Sequence, residues 1–175
     1  RKALAIGADK AFRIDACAAD AYYVAGQIAA YLKENPFDIV FSGIESSDYN
    51  GSSVGAMIAE FMDYSGVSSV TSVNIDGDDV ILYRAIPGGK QKIKAGVPLV
   101  AVVQKGIAKE PRIPAMRGIM MARKKPLEVM PAKEMEMLTK SVKFELPKAK
   151  GACKMIDAGH VEQLVELLKN EAKVL

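Results

Sequence analysis

Tryptophan is absent from this chain of 175 residues, histidine occurs once and cysteine twice. Each scarcity closes a class of chemistry. Six Tyr and five Phe are too few to build the stacking surface that holds single-stranded nucleic acid. His160 by itself supplies no multi-histidine metal site, and Cys17 and Cys153 form no CxxC pair. These counts argue against structural zinc, an iron–sulfur centre and a dithiol redox pair. Low cysteine use fits a reducing compartment, hence a cytoplasmic location. Neither sign of charge dominates: 24 basic residues against 21 acidic leave +3, too even for a nucleic-acid binder. No apolar run is long enough to span a membrane, and no signal peptide is visible.

Half of the residues are apolar, which is ample for a core, and the length suits one domain with an extended tail. The beginning reads as the end of a helix, Arg1 to Ile6, with Gly7 as its terminator and no initiator Met. The sequence therefore predicts that further chain precedes Arg1.

A strand is expected over 10–14 and a long amphipathic helix over 18–34, with Tyr22, Ala25, Ile28, Ala29 and Leu32 on one face. Asn35-Pro36 closes that helix. A short β-branched run over 38–41 follows, then a polar, small-residue loop. From Ser52 or Ser53, Val54, Met57, Ile58 and Phe61 recur at helical spacing, so a helix is expected to about residue 64. Strand, loop and helix N-terminus in this order form a ligand site of open α/β sheets. The first amides of such a helix and the positive end of its dipole suit a phosphate, and Gly51 and Gly55 permit close approach. The plainer reading is an ordinary N-cap, Ser52 or Ser53, on a core-packing helix. The loop carries neither GxGxxG nor a Walker lysine.

After Gly66 the periodicity changes. Residues 67–75, 80–86 and 90–95 alternate apolar with polar, joined by Asp76-Gly77-Asp78 and Pro87-Gly88-Gly89, which predicts antiparallel strands. Leu99–Val103 has the composition of a central strand. In 105–131, Pro111 and Pro114 impose an extended entry to a short helix over 115–124. Met116, Ile119, Met120 and Met121 give that helix a soft apolar surface suited to an adaptable contact. Inward packing of the methionines, and a solvated helix end at Arg123-Lys124-Lys125, are the structural alternatives. A last strand is expected over 127–130, an arm over 135–151 and an amphipathic closing helix over 160–173.

Four stretches of this chain resemble the β subunit of electron transfer flavoproteins: ALAIGADKAFRID, DIVFSGIESSDYNGSSVGAMIAEFM, EPRIPAMRGIMMARKKPLEV, and the arm with its final helix. The third, with its EPR, GIM and basic pieces in order, is the most specific. The resemblance implies a Rossmann-like α/β fold of the adenine nucleotide alpha hydrolase-like type. Its parallel sheet is flanked by helices, with an antiparallel extension and an extended C-terminal arm. It implies two parts: a nucleotide-binding domain over 1–131, incomplete at its N-terminus, and an arm and helix over 132–175 that pack on a partner subunit.

By the same resemblance the chain is an electron carrier rather than an enzyme. It pairs in a heterodimer with an α subunit that holds most of the FAD, and takes electrons from flavin dehydrogenases of the acyl-CoA type. It binds AMP as a structural nucleotide; in electron-bifurcating members a second FAD takes that place. Matching the family's nucleotide loop are Gly43, Ile44, Glu45, Ser46, Asp48, Asn50, Ser52, Ser53, Val54 and Gly55. Asn50 and Ser53 stand where the family has an acid and a glutamine, and the run over 15–21 lacks the DRAFAG-like pattern of bifurcating members. Matching the surface offered to dehydrogenases are Arg112, Met116, Ile119, Arg123, Lys124 and Lys125. A nucleotide-binding module of the universal-stress type has a similar sheet, but accounts for neither the 110–129 stretch nor the arm. An ATP-using transferase or pyrophosphatase calls for an SGGxDS-like loop, which Ser42-Gly43-Ile44-Glu45 matches poorly.

Overall fold

The structure is a computed structural model and describes residues 1–18 and 20–175; the position of Ala19 in the helix expected over 18–34 lies outside the described residues. In chain order the elements begin with α1 (Lys2–Ala5), β1 (Ala11–Asp15), α2 (Ala21–Glu34), β2 (Ile39–Gly43) and α3 (Val54–Met62). Then come β3 (Ser65–Asp76), β4 (Asp79–Ile86), β5 (Gly89–Ala95), β6 (Leu99–Val103), α4 (Met116–Ala122) and β7 (Leu127–Pro131). The last are α5 (Val161–Glu166) and a π-helical turn over Leu167–Glu171. Two compact units result, Arg1–Lys140 and Ser141–Leu175.

In the first unit, five strands pair in the order β2-β6-β3-β4-β5. β6 runs parallel to both neighbours, β2 and β3, while β4 and β5 add antiparallel. The parallel sheet with an antiparallel extension is thus present. An apolar strand such as β6 must be covered on both faces, and it is. Leu99 and Ala101 pack with Val67, Val70, Val80 and Leu82, whereas Val100 packs with Ala25 and Leu32 of α2 and with Ile58 and Ala59 of α3. Each such Leu, Ile or Val buried contributes roughly 1.5–3 kcal/mol. β3 serves both halves of the sheet because its register shifts between Val67 and Val70, where Ser69 takes φ 57°. A bulge of this kind bends the strand out of the parallel ladder toward β4.

β1 does not join that sheet. Among the described residues it pairs with β7, in parallel, Ala11 opposite Leu127 and Asp15 opposite Pro131. α2 starts later than its apolar pattern suggests, at Ala21, because the Asp20 carboxylate accepts from the Tyr23 N–H at 2.7 Å and caps it. β2 runs to Gly43 rather than residue 41, since Ser42 and Gly43 keep their register with Val102 and Val103. On the outer strand β5, Lys90, Lys92 and Lys94 alternate along one side, and charge on an edge deters added strands.

Most of the second unit before α5 has no regular structure. α5 covers less than the helix expected over 160–173, and its continuation widens into the π-turn. Val161, Leu164 and Val165 of α5 are all exposed.

Candidate functional site

β2 and β6 end side by side at Gly43 and Val103, and the Ile44 N–H donates to the Val103 carbonyl at 3.0 Å, prolonging the ladder by a residue. Beyond this carboxyl edge the loop closes on itself. The Asn50 N–H donates to the Ser46 carbonyl at 2.9 Å, Ser46 Oγ donates to Asp48 Oδ2 at 3.4 Å, and Ser52 Oγ donates to Glu45 Oε2 at 3.2 Å. Asn50 and Ser52 both take φ 49°, a left-handed conformation that asparagine accepts and serine enters at a cost. Ser53 then returns to the right-handed region. Alternation of this sort turns successive N–H groups into one concavity.

The ordinary N-cap reading holds only in part: Ser53 is the N-cap residue and α3 packs into the core, but the capping bond is missing. Among the described residues no side chain caps α3: Ser53 makes no cap bond, and the Ser52 hydroxyl is directed to Glu45. The first amides of this nine-residue helix therefore lack a side-chain acceptor.

Glu45, Ser46, Asp48, Asn50 and Ser52 are exposed in one loop, with Ser53 half-buried at its end. Val54 and Gly55 stand differently from what the sequence suggested. Val54 packs against the cluster of Ala25, Leu32, Ile58 and Val100. Gly55 is buried, and a Cβ there would lie 2.7 Å from Val102 Cγ2 and 2.9 Å from Ser42 Oγ. The close approach that demands glycine is of helix to sheet, not of backbone to ligand. Around Gly43, by contrast, a Cβ would meet open space.

The second candidate region is α4. Met116 is 73% exposed, and Met120, Met121 and Ile119 are exposed with it, so the inward packing of these side chains is overturned. Only Ala122 is buried, and the helix lies against α1. Gly118 makes that contact possible: a Cβ there would come within 2.5 Å of the Ala5 carbonyl oxygen. Cations complete the fastening. Arg1 Nη1 donates to the carbonyls of Ala122 and Lys125, each at 2.7 Å. Lys125 Nζ donates to the carbonyls of Leu4 at 3.3 Å and Ala8 at 2.5 Å. Arg112 Nη1 reaches the Ile6 carbonyl at 3.4 Å. The basic run expected to form one steering surface is thus divided. Arg123 and Lys124 are exposed, whereas Lys125 turns inward and caps α1.

Sequence reasoning missed Arg1 and Gly118 in this fastening, and Asp20 and Gln27 on α2. Gln27 is a buried polar residue, 4% exposed, and its amide exchanges bonds with the backbone of Lys133. An aspartate ahead of an apolar helix was the readable signal for Asp20; a lone glutamine on an apolar face was the signal for Gln27.

Residues 1–135 match the family model of the electron transfer flavoprotein domain. The chain is 33% identical over 189 residues to the electron transfer flavoprotein subunit beta of Bacillus subtilis, covering all of this chain and 73% of that protein. It is 36% identical over 180 residues to the subunit of the same name from Syntrophomonas wolfei, covering 99% of this chain and 70% of that one. The chain belongs to the electron transfer flavoprotein β-subunit family. A pig relative of that name matches at 31% identity over 137 residues, 75% of this chain and 53% of its own. Members of the family are electron carriers rather than enzymes, and membership implies an α partner and a flavin-related cofactor in the complex. Among the described residues no helix is long and apolar enough to cross a membrane, and no group of three His, Cys, Asp or Glu could hold a metal ion.

Proposed function

We propose that this chain binds AMP as a structural nucleotide in the loop between β2 and α3. In this reading it pairs with an FAD-carrying α subunit and passes electrons from acyl-CoA-type dehydrogenases to an acceptor in the cytoplasm. The observation that carries the nucleotide is the uncapped start of α3 beside a self-bonded loop at the carboxyl edge of β2 and β6. Backbone amides there suit a phosphate. Glu45 and Asp48, each accepting from a serine hydroxyl, suit ribose hydroxyls better than a phosphate they would repel.

AMP contributes no redox chemistry; the flavin of the α subunit supplies the electron transfer. This chain's residues hold the nucleotide and offer surfaces. Val161, Leu164 and Val165, uncovered in their own unit, suit a larger apolar partner, and the arm with α5 grips the α subunit. Met116 and Ile119 form a small apolar anchor for the dehydrogenase, with Arg123 and Lys124 steering an acidic face toward it. A small anchor suits a transient redox contact.

The test is the nucleotide content of the purified heterodimer made from full-length chains, released by heat and identified by mass. FAD and AMP in equal amounts is the expected result. FAD alone, at two per heterodimer, overturns the AMP assignment.

A further inference from the structure

We infer that residues 132–140 form a strap docked on α2, and that Asp20, Gly26 and Gln27 are positioning residues that hold the root of the C-terminal arm for its partner subunit. The inference rests on the reading of the arm as the grip on the α subunit. Between β7 and α5 the chain has no regular structure, yet it stays in the first unit as far as Lys140. Residues of α2 and its N-cap account for this.

Gln27 sets the first point. Its Nε2 donates to the Lys133 carbonyl at 2.7 Å, and its Oε1 accepts from the Lys133 N–H at 2.8 Å. A buried amide satisfied on both sides by one backbone residue fixes that residue in a single register. Outside it, Lys133 Nζ meets Glu34 Oε1 at 2.9 Å, an exposed pair that adds little. The second point is Gly26. Met135 fills the volume where a side chain at residue 26 would start, so the strap presses its thioether directly on the helix backbone. The third is Asp20, whose two oxygens divide their work. Oδ1 caps Tyr23, and Oδ2 accepts from the N–H groups of Leu138 and Thr139, each at 2.7 Å. These backbone donors, Tyr23 foremost, hold the Asp20 carboxyl below its usual range.

The strap therefore runs back along α2, from Gln27 toward Asp20, held at Lys133, Met135 and Leu138-Thr139. α2 belongs to the core through Ala25 and Leu32. Such mounting cuts the number of places from which the arm can set out, and less freedom is then lost on binding.

The test uses full-length β chains and the FAD-loaded α subunit. Asp20→Ser keeps a capping oxygen for Tyr23 but is too short to serve both strap amides; Gln27→Leu keeps the apolar packing and removes both bonds to Lys133. Each variant is expected to speed hydrogen exchange at 133–139 by about tenfold, without change in α2, and to weaken binding to the α subunit by about tenfold. A chain ending at Lys140 serves as the control and is expected to bind far more weakly still. Unchanged exchange in both variants overturns the strap. Faster exchange with unchanged affinity, while the shortened chain binds poorly, overturns the positioning role alone. A shortened chain that binds as tightly as the parent overturns the grip reading itself.

Discussion

The loop before α3 and the short helix α4 solve opposite problems with similar means. In the loop, side chains bond to one another, Ser46 to Asp48 and Ser52 to Glu45, and the helix amides that follow have no side-chain acceptor. In α4, cationic side chains reach across to backbone carbonyls of the facing segment, and it is the apolar side chains that remain outward. The first arrangement leaves polar donors for a small ligand to complete. The second makes a finished apolar surface, fastened to its neighbour before any partner arrives. Which groups a region satisfies internally decides what kind of partner it can take.

The largest effect expected is at Gly55. Gly55→Val forces methyl groups into Val102 and Ser42, and overpacking at a helix–sheet contact costs about 3 kcal/mol. Thermal or urea unfolding reads this loss. Gly43→Val, entering open space, should leave stability within about 0.5 kcal/mol while lowering nucleotide retention after gel filtration. If the two variants are equally stable, the contrast between a packing glycine and a site glycine is broken.

Next comes Met116. Because it is largely exposed, Met116→Ala should leave the unfolding midpoint and the nucleotide content unchanged, yet slow reduction by the dehydrogenase by about tenfold or more. Stopped-flow reduction of the heterodimer's flavin measures the rate. A parent-like rate would remove α4 from the electron-donor surface, whatever happened to stability.

The last contrast separates neighbours in the basic run. Lys125→Met loses the bonds to Leu4 and Ala8 and should cost about 1–3 kcal/mol of stability. Lys124→Met should cost almost none, and instead flatten the dependence of dehydrogenase association on salt. Equal behaviour of the two would mean that the inward turn of Lys125 does not matter to the fold.

Much of this was legible locally. β6 declared itself through five consecutive apolar residues, and the ribbon from β3 to β5 through alternation and its Asp-Gly and Pro-Gly-Gly turns. The strand, loop and helix of the candidate site were read with their boundaries off by a residue or two. What was not legible has no local signature. A lysine at the end of a basic run looks like any solvated lysine, and its bond to the Ala8 carbonyl spans 117 positions. The glycine of α3 carries no mark distinguishing a ligand cradle from a helix–sheet contact. The pairing of β1 with β7 depends on chain more than a hundred positions downstream of β1.

That pairing has a consequence for how the chain is made. Emerging from the ribosome, β1 precedes β7, its partner among the described residues, by most of the unit's length, and Gln27 waits across 106 positions for Lys133. The ribbon of β3, β4 and β5 can close as soon as it is synthesised, and β6 can then join β2 and β3. Long-range parallel pairing is slow because the closure entropy falls due before the contacts form. Within the described sheets β1 thus waits for β7 while the ribbon and β6 assemble, and β7 with the strap that follows it closes this pairing late.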